Sequence, residues 1–115
     1  MKNFIAERRL LYALKGSDIR KEFVIGICAP YPVNQSMLAY PIGEGFSGCD
    51  VRLEGLDEEG EKIYGADSLQ AVNLASNVEA FLKRLQEKYD LFWLSGEPYF
   101  DEKLKGSEIK GVRVK

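Results

Sequence analysis

Hydrophobic and polar residues near the start of the chain follow the pattern of two strands. In residues 4–14 every second residue from Leu10 to Leu14 is large and apolar, and residues 23–28 form a run rich in β-branched side chains. The residues between them, 15–18, are of the types found in turns. Good helix formers in the first segment also allow a helix there, but the turn and the following run favour two strands joined as a hairpin.

The next segments are short and are punctuated by proline and glycine. Pro30 and Pro32 lack a backbone N–H, so we expect the second strand to end at this point. Residues 37–42 and 50–56 are apolar or alternating runs separated by a glycine-rich connection. Each of these two runs predicts a further strand.

The clearest pattern is helical and covers residues 68–88. Asp67 is a suitable N-cap with Gln70 three residues later, and residues 91–94 then predict a last short strand. At 100° per residue the apolar positions of the helix fall within an arc of about 120°. They are Ala71, Leu74, Ala75, Val78, Phe81, Leu82, Leu85 and Tyr89.

These elements predict the α+β class. We expect a curved antiparallel sheet of four to five strands with one long amphipathic helix packed on one face, in the order β-β-β-(β)-α-β. Residues 1–100 are expected to form a single domain. Residues 101–115 are lysine-rich with isolated apolar positions, and we expect them to form an edge strand or to be partly disordered.

Composition restricts the chemistry that this domain can perform. The 115 residues include no histidine, which removes the usual general base, the usual partner of a nucleophile and the commonest metal ligand. The two cysteines, Cys28 and Cys49, are interpreted as small core residues. We therefore expect no catalytic residues, no metal site and no cofactor. No apolar stretch has the length of a signal peptide or a membrane span, so a cytoplasmic protein that does not bind membranes is expected.

Several short motifs resemble those of a family of short bacterial domains of unknown function. The resemblance extends over residues 5–96 and implies the order strand-strand-strand-helix-strand, but it implies no established activity. The chain looks longer than the family pattern between Asn34 and Gly48. The motifs are IGI followed by PYP at 25–32, LEGL at 53–56, GADSLQA at 65–71, LA at 74–75 and WL at 93–94.

Acidic residues are concentrated in one part of the chain. From Glu44 to Asp67 there are eight acids and two bases, a net charge of −6, whereas the remainder has 14 bases and 10 acids, a net charge of +4. A solvated charged turn explains the central residues of this region, but they would also steer a partner protein with a basic surface. These candidate partner-binding residues are Asp57, Glu58, Glu59 and Glu61.

Three glycines in the same region match the spacing of a dinucleotide-binding loop. Gly43, Gly45 and Gly48 spell G-x-G-x-x-G, but that loop binds pyrophosphate only where it joins a strand to a helix. Here a strand is expected to follow the last glycine. We interpret the motif as a flexible connection between strands.

Aromatic residues in or beside the predicted loops supply the remaining candidates. We assign Tyr31 and Tyr64 to a partner-binding surface, and Tyr40 and Trp93, together with Tyr31, to a pocket between sheet and helix. The first functional hypothesis is a non-enzymatic protein-binding module, such as an immunity-like or antitoxin-like inhibitor of a partner. The alternative is a homo-oligomeric domain, with a homodimer as one form, that binds a small ligand. Acids dilute the basic end of the chain, so nucleic acid is not an expected partner.

Overall fold

The computed structural model describes residues 3–34, 36 and 41–100. It confirms the α+β class, with an antiparallel sheet and helices packed against one of its faces. The elements in chain order are β1 Phe4–Leu14, β2 Lys21–Cys28, β3 Tyr31–Pro32, β4 Ser47–Glu54, β5 Glu61–Gly65, α1 Ser68–Ala75, α2 Glu79–Leu85 and β6 Tyr89–Phe92.

Strand β4 has pairing partners on both of its sides. Val51 of β4 is opposite Ile27 of β2 and also opposite Glu61 of β5, so β2 and β5 lie on different sides of it. Gly48 is likewise opposite Tyr31 of β3 and a residue of β5, which places β3 on the same side as β2. The order across the sheet is therefore β5, β4, β2, β1 and β6, and all neighbours are antiparallel.

The core lies between one face of the sheet and the two helices. Alternate residues of each strand point into it, as the pattern of period two predicts. The largest fully buried side chains come from β1, β2, β4 and α2, and each large apolar side chain contributes roughly 1.5–3 kcal/mol by leaving water. They are Leu10, Phe23, Ile25, Cys49 and Leu82.

The predicted helix over residues 68–88 is present but bent, as α1 and α2 separated by residues 76–78. Asp67 is the N-cap as expected, and its Oδ1 accepts a hydrogen bond from the backbone N–H of Gln70 at 2.8 Å. At the bend, the Ser76 hydroxyl donates to the carbonyl oxygen of Asn73 at 2.9 Å. Such local bonding by a small polar side chain competes with the regular helical pattern. The bend leaves Leu74, assigned above to the buried stripe, 48% exposed.

The strands differ from the sequence prediction at four places. β5 was not predicted, because its charged first residues read as part of the acidic turn, and β3 pairs with β4 where the two prolines were expected to end regular pairing. β6 extends over Tyr89–Phe92 instead of the predicted 91–94. Because it ends at Phe92, Trp93 lies at the start of the turn that follows the strand. The strand predicted for residues 37–42 is not seen at 41–42, and its remainder lies outside the described residues, as do residues 101–115.

Candidate functional site

The acidic turn is the loop from Asp57 to Gly60 that joins β4 to β5, together with Glu61 at the start of β5. Two of its four carboxylates are held by neighbouring side chains. Glu58 accepts hydrogen bonds from the Tyr89 hydroxyl at 2.7 Å and from Lys88 Nζ at 3.1 Å. Glu61 forms an ion pair with Arg84 of α2. These contacts tie the acidic turn to α2 and to the start of β6.

The contact with Glu58 changes the acidity of both partners. A hydrogen bond to the Glu58 carboxylate, together with burial, raises the pKa of Tyr89 to about 12. The hydrogen bonds from Tyr89 and Lys88 lower the pKa of Glu58. The phenol therefore stays protonated and the carboxylate stays ionised at neutral pH, which keeps this bond intact.

The other two carboxylates of the acidic turn are exposed. Within the described part of the chain, neither Asp57 nor Glu59 has a side-chain hydrogen bond or ion pair. The net charge of the turn is therefore only partly compensated by its own neighbours. What is left is negative charge at the surface, next to the beginning of β5.

An apolar groove, called the groove from here on, adjoins the acidic turn. It lies beyond the end of α2, on the face of the sheet that carries the helices, and has a volume of about 260 Å³. The Tyr12 ring packs edge-on against Phe23 and against Tyr89, with centroid distances of 5.7 and 5.4 Å. The residues lining the groove are Tyr12, Leu14, Ser17, Ile19, Lys21, Leu56, Asp57 and Tyr89.

Two apolar side chains of the groove face solvent. Leu14 at the end of β1 is 59% exposed, and Ile19 in the loop before β2 is 69% exposed. Charged groups stand at the rim, with Lys21 at the start of β2 and Asp57 in the acidic turn. The groove thus combines an apolar interior with charges of both signs at its edge.

Tyr31 and Tyr64 lie on the face of the sheet opposite the helices, called here the far face. Both are paired with Gly48 of β4, one from each side. The Tyr31 hydroxyl donates to Oδ1 of Asp50 at 2.9 Å, and Arg52 pairs with Oδ2 of the same carboxylate at 2.7 Å. The structure therefore brings the two tyrosines together, as a joint site requires.

The far-face cluster consists of Tyr31, Asp50, Arg52 and Lys62. Within it, the negative charge of the Asp50 carboxylate is compensated by its neighbours. Asp50 is only 8% exposed, and Lys62 also approaches its carboxylate, at 3.8 Å. Burial and the bond to Asp50 raise the pKa of Tyr31 to about 12. The Tyr31 hydroxyl and the Arg52 guanidinium are thus already engaged with the Asp50 carboxylate.

The far-face tyrosines and the acidic turn do not form one surface. Along β5, Lys62 and Tyr64 point to the far face, whereas Glu61 points towards α2. The period of two along a strand separates them, although they are close in sequence. The predicted partner-binding residues are therefore divided between two faces of the sheet.

Trp93 lies at the other edge of the sheet from Tyr31. It is in the turn after β6, is 42% exposed, and its ring packs against Tyr99 and beneath the guanidinium of Arg8. Arg8 also donates to the Tyr99 hydroxyl, which in turn donates to Glu79 of α2. Tyr40 lies outside the described residues. Tyr31 lies on the far face, whereas Trp93 packs with Arg8 and Tyr99 next to α2, so the two side chains do not line a common pocket.

Of the residues that line the groove, the sequence analysis selected only Asp57 as a candidate. Leu14 and Ile19 stand at either end of the turn between β1 and β2, and two large apolar residues beside a turn were an available signal. Leu56 and Tyr89 gave no such signal, because they look like ordinary core residues. Only the folded chain brings these distant segments together.

The remaining motifs behave as structural features. Gly45 has a φ of 87° in the turn before β4, and the last glycine, Gly48, lies within β4, so the motif leads into a strand and not into a helix. Cys49 is buried, whereas Cys28 is only partly buried, and both are free thiols. Across the described ranges, no three potential metal-ligating side chains are grouped around a common point.

No helix within residues 3–34 or 41–100 is both long enough and apolar enough to cross a membrane. Protein-family models, curated protein sequences and solved structures give no match to this chain, so the family resemblance drawn from its motifs stays a prediction.

Proposed function

We propose that this chain is a non-enzymatic protein-binding module that inhibits or neutralises a partner protein, in the manner of immunity or antitoxin proteins. The groove, with the exposed carboxylates beside it, is the proposed binding surface, and its partner presents a basic patch next to an apolar side chain. The observation that carries this proposal is the exposure of Leu14 and Ile19 beside the unpaired carboxylate of Asp57.

The apolar residues supply the favourable contact. Leu14 and Ile19 are among the most exposed large apolar side chains of the described chain, and both line the groove. Covering apolar surface stabilises a complex by about 25 cal/mol for each Å² removed from water. Contiguous apolar surface rimmed by polar residues is typical of protein interaction sites.

The exposed carboxylates supply the selectivity. Asp57 and Glu59 form no ion pair within the described chain, whereas Glu58 and Glu61 do. A basic partner surface would pair with the first two without breaking any internal contact. Complementary charge of this kind mainly accelerates association and discriminates against acidic partners.

The ionisable groups support a binding role rather than a catalytic one. Among the described residues, the pKa changes most for Tyr31, Tyr89 and Tyr99, and for each of them the pKa rises to about 12. A general acid or base works best when its pKa is near the working pH. These tyrosines are instead held as protonated hydrogen-bond donors, each to a carboxylate.

The test is capture of the partner by tagged full-length protein from a lysate of its source cells, with quantitative mass spectrometry. We expect one stoichiometric protein that is lost with Ile19→Ser and with Asp57→Lys. Two matched controls should retain it. They are Leu69→Ser, at a leucine of α1 that is 78% exposed, and Glu44→Lys, at the opposite end of β4 from the groove.

The purified partner then allows a direct measurement by titration calorimetry. Reversal of Glu58 or Glu61 is expected to weaken binding less than reversal of Asp57, once the folded fraction of each variant is matched. A partner that binds all the variants equally, or no partner captured by the unaltered protein, would refute the proposed surface.

A further inference from the structure

The two rim charges of the groove have opposite signs and lie on different segments. Lys21 opens β2 and is opposite Tyr12 in the β1–β2 pairing, whereas Asp57 follows β4 in the acidic turn. Neither has an ion pair among the described residues. Since the neighbouring carboxylate of Glu58 is already bonded to Tyr89 and Lys88, Asp57 is the carboxylate of the rim that is free to accept a cation.

The loop that carries Ile19 is fixed before any partner arrives. Its backbone is tied by bonds from the N–H of Lys15 to the carbonyl of Lys88 and from the N–H of Ile19 to the Ser17 hydroxyl, at 3.1 Å each. On its other side, the guanidinium of Arg20 lies 3.7 Å from the centre of the Phe92 ring and donates to the carbonyl oxygen of Gly96.

The opposite wall of the groove is held in the same way. Tyr89 is bonded to Glu58 and packed against Tyr12, and Leu56 is buried. The backbone positions that carry Lys21 and Asp57 are therefore held on opposite walls of the groove. A site of this kind loses little conformational entropy when it binds, and it distinguishes the two orientations of a charged ligand.

We infer that the groove recognises a segment of a partner protein in one orientation, through an apolar side chain with a basic residue on one side and an acidic residue on the other. The apolar side chain lies between Tyr12 and Ile19, the basic residue pairs with Asp57, and the acidic residue pairs with Lys21. This inference rests on the proposed function and adds the polarity of the recognised segment.

The test uses charge exchange on both molecules. A displayed library of short disulfide-closed peptides is selected on the immobilised full-length protein, and the selected peptides are measured by fluorescence anisotropy. We expect them to carry an acidic, an apolar and a basic side chain, and to lose about tenfold in affinity against Ile19→Ser. The second reagent is the double variant with Lys21→Asp and Asp57→Lys, whose net charge is unchanged.

Exchanging the acid and the base of a selected peptide should weaken its binding to the unaltered protein by about tenfold, and the double variant should restore it. Equal binding of both peptide forms to the unaltered protein would overturn the inferred polarity. So would selected peptides without the three-part pattern, or an empty selection. If the lysate partner still depends on Ile19 and Asp57 in any of these cases, the proposed function stands and only the orientation is wrong.

Discussion

The far-face cluster and the groove differ in how their polar groups are used. On the far face, Asp50 is bonded by Tyr31 and Arg52 and approached by Lys62, so its charge is compensated inside the protein. At the groove, Asp57 and Lys21 stand beside exposed apolar side chains without such compensation. Satisfied polar groups stabilise the fold and leave little for a ligand, whereas uncompensated ones next to apolar surface cost little stability and remain able to bind.

The largest expected effect on stability is at the far face. Asp50→Ala removes the acceptor of Tyr31 and the partner of Arg52 from a site that is 8% exposed. We expect the free energy of unfolding to fall by about 2 kcal/mol, because donors in this site lose their partner. Urea unfolding followed by circular dichroism measures it. A loss as small as that of Asp57→Asn would show that the two surfaces do not differ in this way.

At the edge of the groove, Tyr89→Phe should lower stability by about 1 kcal/mol, because it removes the bond to Glu58. The folded state raises the pKa of Tyr89 from 10.0 to about 12, so this stabilisation is complete below pH 10 and is lost as the pH rises through about 12. The difference in stability between the two proteins should therefore shrink above pH 10. Urea titrations at several pH values check the slope, and a constant difference would contradict the assignment.

Gly48→Ala tests the packing of the Tyr31 ring over β4. A Cβ atom at Gly48 would lie 2.7 Å from the Cζ atom of Tyr31, so the ring must shift, and we expect its hydroxyl to lose the bond to Asp50. We expect a cost of about 1 kcal/mol, and the same bond is removed by Tyr31→Phe. The double variant should therefore cost little more than either single variant. Full additivity would mean that the glycine does not act through this tyrosine.

The smallest effects on stability are expected at the groove itself. Ile19→Ser and Asp57→Asn alter side chains that are exposed and make no polar contact within the described chain. Each should change the free energy of unfolding by less than about 0.5 kcal/mol. Thermal unfolding at neutral pH provides the check. A large loss at either position would indicate a structural role and weaken the case for a binding surface.

Much of the fold could be predicted because local patterns and tertiary structure agree. The alternating apolar residues of β2 and β4 are buried as their pattern predicts, and Asp67 caps α1 as its position before an apolar stripe predicts. β5 could not be found in the same way, because its exposed charges resemble those of a turn. The bend at Ser76 depends on local hydrogen bonds that a count of apolar positions does not register.

The candidate site was only partly within reach of the sequence. The acidic turn was visible as a concentration of charge, but its division into paired and unpaired carboxylates depends on Lys88, Arg84 and Tyr89, which lie far along the chain. The groove was not visible, because its walls come from three separate segments of the chain, residues 12–21, residues 56–57 and residue 89.

Local residue patterns were sufficient to predict the class of fold, the buried faces of the main strands, the position of the helical region and the excess of acidic residues in one loop. These properties depend on the type and spacing of residues that are close together in the sequence. The tertiary structure decided which charges are neutralised and which apolar side chains are left exposed. Those properties depend on contacts between residues that are distant in sequence, and only the packed sheet and helices define them.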